Sequence, residues 1–305
     1  MKRFGGAFFL SLLTLVGCSQ KNDIKTTTNQ NTLLWKISGN GLEHPSYLFG
    51  TIHMLCKDDA VLSPNLKKAI SGADDVYLEV DMDNLVEMFS IMSKMKMNGD
   101  TTFKDLMSKE DYQLVKNYFE EKGGLLPFSM METFKPILAA SSLAQTDLPC
   151  DQTAAMEEVI MAEAKNKKKD IKGLESMGFQ ASILDSIPYK VQADQLVNFI
   201  KKEGKTGDGM EVADMMKAYK AQELGKLEAM MTEADAGMSG FTDLLLNKRN
   251  ENWVKKLKDL LKGKSLVIAV GAGHLPGEKG VINLLKKEGY KVEPVENNMT
   301  ESREI

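Results

Sequence analysis

Three histidines occur in this 305-residue chain, and two of them close the same motif: Gly50-Thr51-Ile52-His53 and Gly271-Ala272-Gly273-His274. Each motif follows an apolar run that reads as a strand, residues 47–52 and 265–270. A glycine at a strand end lets the backbone turn without a Cβ clash. The histidine three residues on then sits in the loop past the strand, where open α/β sheets bind their ligands. If the two strands run parallel, both imidazoles reach one sheet edge. Two neutral imidazoles facing one crevice are good ligands for zinc, manganese, cobalt or iron. A carboxylate would complete the set. Glu79 lies in an apolar strand, where a free charge is costly, although Asp81 on the same face also suits an outward-facing pair. Glu175, at the end of another strand, is a second candidate. Arg249 and Asn250 sit on the long helix before the second motif. Arg249 could stabilise developing negative charge or a bound carboxylate, or lie on the solvated face of nearby Lys248, Lys255, Lys256 and Lys258. His44 precedes Pro45 in a turn and reads as a surface residue. The run Gly271-Ala272-Gly273 lacks the third glycine of a dinucleotide fingerprint and the Gly-Lys-Ser/Thr of a P-loop.

The elements that must position these groups fall into three stretches. Residues 33–37 alternate around Trp35, turn chemistry follows at residues 38–41, and residues 47–52 return, which predicts a hairpin. A short helix over 64–71 and a strong strand over 75–80 follow. Residues 84–261 are mostly helical by apolar spacing, with one internal strand over 171–174 and a helix from Thr153 to Asn166. The longest helix covers 244–261. The chain then returns to strand, helix and strand, with Gly289 as a C-cap. The expected fold is α/β (α+β): a mixed sheet made by the N- and C-terminal thirds, with a large mostly helical insertion at about 84–261 inside a domain spanning 32–298. Both Gly-x-x-His motifs sit in a strand, motif, helix, strand unit, as a duplication would leave them.

Composition limits the setting. The formal net charge of −4 argues against a nucleic-acid partner, which would need a basic face. Lys2 and Arg3, an apolar run over 7–16 and Gly17-Cys18 resemble a lipoprotein signal, with Cys18 lipidated. Residues 1–18 are therefore expected to be removed up to that cysteine, and 19–31 to form a flexible tether. No later run is long enough to span a bilayer. Expected localisation is outside the cytoplasm, lipid-anchored and facing the periplasm or the cell surface. In such an oxidising compartment Cys56 and Cys150 form either a disulfide or a pair of buried thiols. The twenty methionines suit an adaptable core or groove, with copper binding through thioether as the alternative.

Together the two motifs, Tyr77-Leu78-Glu79, Arg249-Asn250, Gly173-Leu174-Glu175 with Gln180, and the run from Val270 to Gly277 resemble the TraB/GumN family, which includes the Tiki metalloproteases. The likeness spans about residues 32–294. It implies that His53 and His274 are metal-binding or catalytic, that Glu79 is their acidic partner, and that Arg249 and Asn250 line the site. Lys248 departs from the acidic residue that many relatives have before the arginine. The implied activity is metal-dependent peptide hydrolysis with manganese, cobalt or zinc, acting on a peptide or protein. The same pocket would also serve a non-catalytic peptide- or pheromone-binding lipoprotein, or capture of a metal or haem.

Overall fold

In the computed structural model of the chain, which describes residues 24, 27, 30–122, 126–146, 148, 150–202, 212–234 and 241–299, the expected hairpin forms. Strand β1 (Leu34–Ser38) turns through Gly39, Asn40 and Gly41, all at positive φ, into β2 (Ser46–Thr51). Residues that tolerate left-handed backbone are what this turn requires. The expected signal segment and Cys18 lie outside the described residues. A two-residue strand β3 (Leu55–Cys56) follows, and then β4 (Asp75–Val80), β5 (Thr153–Ala154), β6 (Asp170–Glu175), β7 (Leu266–Gly271) and β8 (Lys291–Pro294).

Six strands make one sheet in the order β6-β4-β7-β2-β1-β8. The two ends of the chain build most of it, as expected, but the edge strand β6 comes from within the insertion. β2 and β7 pair in parallel with Gly50 opposite Val270 and Thr51 opposite Gly271. Both Gly-x-x-His motifs therefore leave the sheet at the same end. From there the chain runs from β2 across β7 to β4, and from β7 across β2 and β1 to β8. Connections departing in opposite directions from neighbouring parallel strands define a topological switch point, and the crevice there is where such sheets bind ligands. The middle strand β7 reads as a continuous apolar run because both faces are covered; Val267, Ile268, Ala269 and Val270 are all fully buried. Each large side chain among them contributes about 1.5–3 kcal/mol through burial.

The helices are α1 (Pro64–Gly72), α2 (Leu85–Lys94), α3 (Phe103–Leu106), α4 (Lys109–Lys122), α5 (Phe128–Met131), α6 (Pro136–Thr146) and α7 (Met156–Asn166). The remainder are α8 (Met177–Asp185), α9 (Tyr189–Lys201), α10 (Val212–Lys220), α11 (Leu224–Ala234), α12 (Lys248–Leu260) and α13 (Val281–Lys287). Part of the insertion carries a second core, in which Phe103, Val115 and Phe119 pack with Leu196 and Ile200. Two local expectations are corrected. The helix expected from Thr153 begins at Met156, because Thr153 and Ala154 pair with Cys56 and Leu55 of β3. The longest helix does not start as a regular α-helix: Asp243–Asn247 is a π-helical turn that runs into α12.

Cys56 and Cys150 are bonded, with Cα atoms 5.8 Å apart and 94 residues between them in sequence. Together with β3–β5 pairing, the bond fastens the segment after His53 to the segment before α7. Closing so long a loop removes much freedom from the unfolded chain. Cys56→Ser is expected to lower the unfolding free energy by about 2–4 kcal/mol, measured by denaturant titration; an unchanged midpoint would show that the bond carries no stability.

Candidate active site

At the common strand end, Glu79 of β4, Glu175 of β6 and Arg249 of α12 meet. Glu79 Oε1 accepts the Gly271 N–H at 2.8 Å. Its Oε2 accepts from Arg249 Nη2 at 2.6 Å and Gln180 Nε2 at 2.9 Å. Glu175 Oε1 accepts from Arg249 Nε at 2.9 Å and Nη2 at 2.6 Å, and Oε2 accepts from Trp253 Nε1 at 2.9 Å. Arg249 Nη1 donates to Leu245 O at 2.9 Å and to His274 Nε2 at 3.2 Å. A guanidinium has five N–H groups, and these contacts use all of them. The π-helical turn makes this geometry local: Leu245 lies in it, one turn before the arginine whose side chain reaches back to it.

The motif glycines are needed for close approach rather than for a left-handed turn. A Cβ on Gly271 would stand 3.2 Å from Glu79 Oε1, and one on Gly50 would stand 3.1 Å from Ala272 Cα. Neither residue is at positive φ.

His274 is buried and its tautomer is set by its neighbours. Asn250 Nδ2 donates to Lys279 O at 2.9 Å, so Asn250 Oδ1 is the acceptor for His274 Nδ1 at 2.6 Å. The proton is then on Nδ1, and Nε2 offers its lone pair to Arg249. The ring also packs on Trp253, with centroids 4.5 Å apart. Burial, with Arg249 adding to it against the opposing pull of Glu79, pushes the imidazole down to about 4. Burial alone would raise Glu79, but the charges of His274 and Arg249 and the Gly271 N–H outweigh it and hold the carboxyl at about 2. With His274 neutral near pH 7, the guanidinium and the amide do this work.

His53 is in a different electrostatic state. Its Nδ1 lies 2.9 Å from Glu157 Oε1, which also accepts the Thr51 hydroxyl. The Glu157 side chain is only 7% exposed, whereas that of His53 is 71% exposed. Glu157 Oε2 is buried with no hydrogen-bond partner among the described residues. The hydrogen bond and charge of Glu157 raise the His53 imidazole above its ordinary value. Burial opposes ionisation of Glu157, but His53 and Thr51 outweigh it and lower that carboxyl. The backbone holds the pair together: Met156 N–H donates to Ile52 O at 3.1 Å, one residue from each partner.

A cleft of about 320 Å³ opens over the cluster. His53, Glu79, Gln180 and Arg249 line it with Lys94, and Ile91, Met95 and Leu138 are among its apolar lining. His274 is not part of the lining; it makes its contact with Arg249 in the buried layer. Of the residues expected from sequence, Glu79, Glu175, Gln180, Arg249, Asn250 and His274 form one connected network, and His53 enters the cleft from a separate pair. Glu157 and Trp253 were not anticipated. Glu157 and Glu158 read as acidic residues favouring a helix N-terminus, yet Glu157 shares the i, i+3, i+7 face of buried Ile160 and Ala164. Trp253 stands at i+4 from Arg249, and its ring lies 4.7 Å from the guanidinium carbon.

The expected ligand set of His53, His274 and Glu79 does not fit a divalent ion as arranged. Both Glu79 oxygens and the His274 lone pair are engaged, two of these three by Arg249. A dication 4 Å from that guanidinium would be repelled by about 8 kcal/mol even at an effective dielectric constant of 20. Among the described residues, no group of three or more His, Cys, Asp or Glu side chains is placed to hold a metal.

Residues 33–294 match the TraB/PrgY/gumN family. Metalloprotease TIKI1 of Danio rerio is 22% identical over 88% of this chain and 65% of its own length. Metalloprotease TIKI2 of Xenopus tropicalis is 22% identical over 88% of this chain and 61% of its own. The Metalloprotease TIKI homolog of Nematostella vectensis is 20% identical over 90% and 70%. The chain thus spans somewhat under two thirds of the first two relatives. No solved structure matches it.

The buried neutral histidine has a consequence for stability. Its folded value, about 4, lies below the ordinary 6.5. Its contribution is therefore complete above pH 6.5 and is lost as pH falls toward 4. Unfolding free energy is expected to drop by about 2–3 kcal/mol through this group over that window. His274→Gln should flatten that part of the pH–stability curve, as followed by denaturant midpoints; an equally steep curve would assign the slope to other groups.

Proposed function

Because the chain belongs to the TraB/PrgY/gumN family, and its matched relatives are named metalloproteases, we propose that it is a hydrolase of peptide bonds working in this cleft. The observation that carries the reading is His53: an imidazole open to the cleft whose Nδ1 is held by a buried carboxylate. With Nδ1 protonated toward Glu157, Nε2 is the free basic atom. It takes a proton from water as the water oxygen adds to the scissile carbonyl carbon. The imidazolium so formed returns that proton to the departing amine as the C–N bond breaks. Glu157 orients the ring and offsets its transient charge, as a carboxylate does for a catalytic histidine. The second amide N–H of Gln180 and the Lys94 ammonium are the cleft's donors for the carbonyl oxygen. Arg249, expected from sequence to stabilise developing charge directly, has no N–H left to donate and contributes through its charge alone. The apolar lining from Ile91, Met95 and Leu138 supports a peptide rather than a highly charged substrate.

The relatives' names suggest a metal ion. The donors expected to hold one are those that Arg249 engages. The same reading takes the chain to be an exported lipoprotein anchored through Cys18, acting on peptides or proteins at the membrane face it meets. The Cys56–Cys150 bond supports an oxidising compartment.

The test is cleavage of a fluorogenic peptide library by the full chain. His53→Ala should lower kcat/KM by about 100-fold or more. Activity should fall as pH drops through the raised His53 value, and Glu157→Gln should move that acid limb down toward 6.5. Saturable peptide binding without cleavage would replace the hydrolase with a binding module.

A further inference from the structure

We propose that Arg249 is the resident cation of this site, and that a divalent ion can bind Glu79 and His274 only in exchange for it. This inference concerns the geometry of the network and holds whether or not the cleft hydrolyses peptides.

Three observations support it. First, charge: Glu79 and Glu175 share one guanidinium, so the buried cluster keeps one net negative charge. Both carboxylates are nearly inaccessible, with side chains 12% and 7% exposed. A buried charge without a partner is strongly unfavourable. Deleting the guanidinium would double the uncompensated charge and favour uptake of another cation. Second, donor chemistry: His274 Nδ1 is anchored to Asn250, which directs the Nε2 lone pair into the cluster. Anchoring the second ring nitrogen is how proteins prepare a metal-binding imidazole. The atom so prepared meets Arg249. Third, position: Arg249 and Glu79 line the cleft and His274 does not, so the contact between Arg249 and the His274 Nε2 lone pair lies behind the cleft wall. The π-helical turn Asp243–Asn247 ends two residues before Arg249, and such turns interrupt the regular helical ladder where side chains must be placed unusually.

Trp253 supplies the readout. It touches Arg249, Glu175 and His274, and the only other tryptophan, Trp35, can be removed as Trp35→Phe. In that background the full chain is titrated with Co²⁺, following ligand-field absorption and Trp253 quenching, with no substrate present. The unchanged site is expected to bind Co²⁺ weakly. Arg249→Met should bind one equivalent roughly tenfold or more tightly, since the repelling charge is gone. The added His274→Ala should abolish the gain. Arg249→Lys keeps the charge but offers only three donors in place of a planar fork, so its affinity should fall between the two; it decides the matter if Arg249→Met does not fold. Tight binding by the unchanged site, or a folded Arg249→Met chain that binds no better, would overturn the proposal. Loss of peptide hydrolysis alone would not bear on it.

Discussion

The structure at the strand ends depends on one guanidinium placed between two buried carboxylates. Glu79 comes from β4, Glu175 from β6 and Arg249 from α12. No two of the three belong to one element. Each contact therefore fixes the position of one element relative to another, and the planar fork of arginine fixes the angle as well as the distance. Trp253 beneath the guanidinium and the Leu245 carbonyl behind it complete the seat. Such a cluster is weak evidence for net stability, because desolvating three charges offsets most of their attraction. Its value is in specification: a cluster with every donor satisfied has one arrangement, and loses much if any member shifts.

That cluster explains why one motif yields two histidines in opposite states. Both Gly-x-x-His segments leave parallel neighbouring strands at the same end. His274 turns inward, against Trp253 and a cation, and burial keeps it neutral. His53 turns into the cleft, against the anion of Glu157, and is more basic than usual. Each Nδ1 is anchored by an oxygen, Asn250 Oδ1 in one case and Glu157 Oε1 in the other. The difference lies in what faces the remaining nitrogen. A cation stands against one imidazole and open space against the other, which separates a buried acceptor from the exposed imidazole we propose as the base. This is how environment divides roles between like residues.

Much of this was legible in the sequence. The strand over residues 75–80, the hairpin, the parallel run before His274 and the convergence of the two motifs follow from apolar periodicity and glycine placement. Family likeness picked out Glu79, Glu175, Arg249, Asn250 and His274 as site residues, but not that Arg249 bridges the two carboxylates. What was not legible is long-range pairing that overrides local preference. Thr153 and Ala154 precede a strong helical pattern, yet they extend because Leu55 and Cys56 offer a partner strand. Glu157 looks like a dipole-complementing residue of a helix start until Thr51 and His53, about a hundred residues earlier, are folded onto it. Arg249 looks like one more cation on a lysine-rich helix. Only the tertiary structure shows that it is the buried one and the lysines around it are not.

The same pairing that hid Glu157 also makes the His53 arrangement durable. His53 sits in a loop, and a loop histidine alone would sample many orientations. Here the chain before it is held by β2 in the sheet, and the chain after it by β3 on β5 and by the Cys56–Cys150 bond. Glu157 begins the helix that follows β5, and its backbone neighbour Met156 bonds to the neighbour of His53. Imidazole and carboxylate are thus carried by two segments that are themselves cross-linked, so neither can move far without the other. The unpaired Glu157 Oε2 is tolerable in that setting because the carboxylate's other oxygen accepts two hydrogen bonds, from Thr51 and from His53 Nδ1. The role we propose for His53 requires a partner that does not relax away when the charge appears, and the short strand pair is the element that holds Glu157 in place.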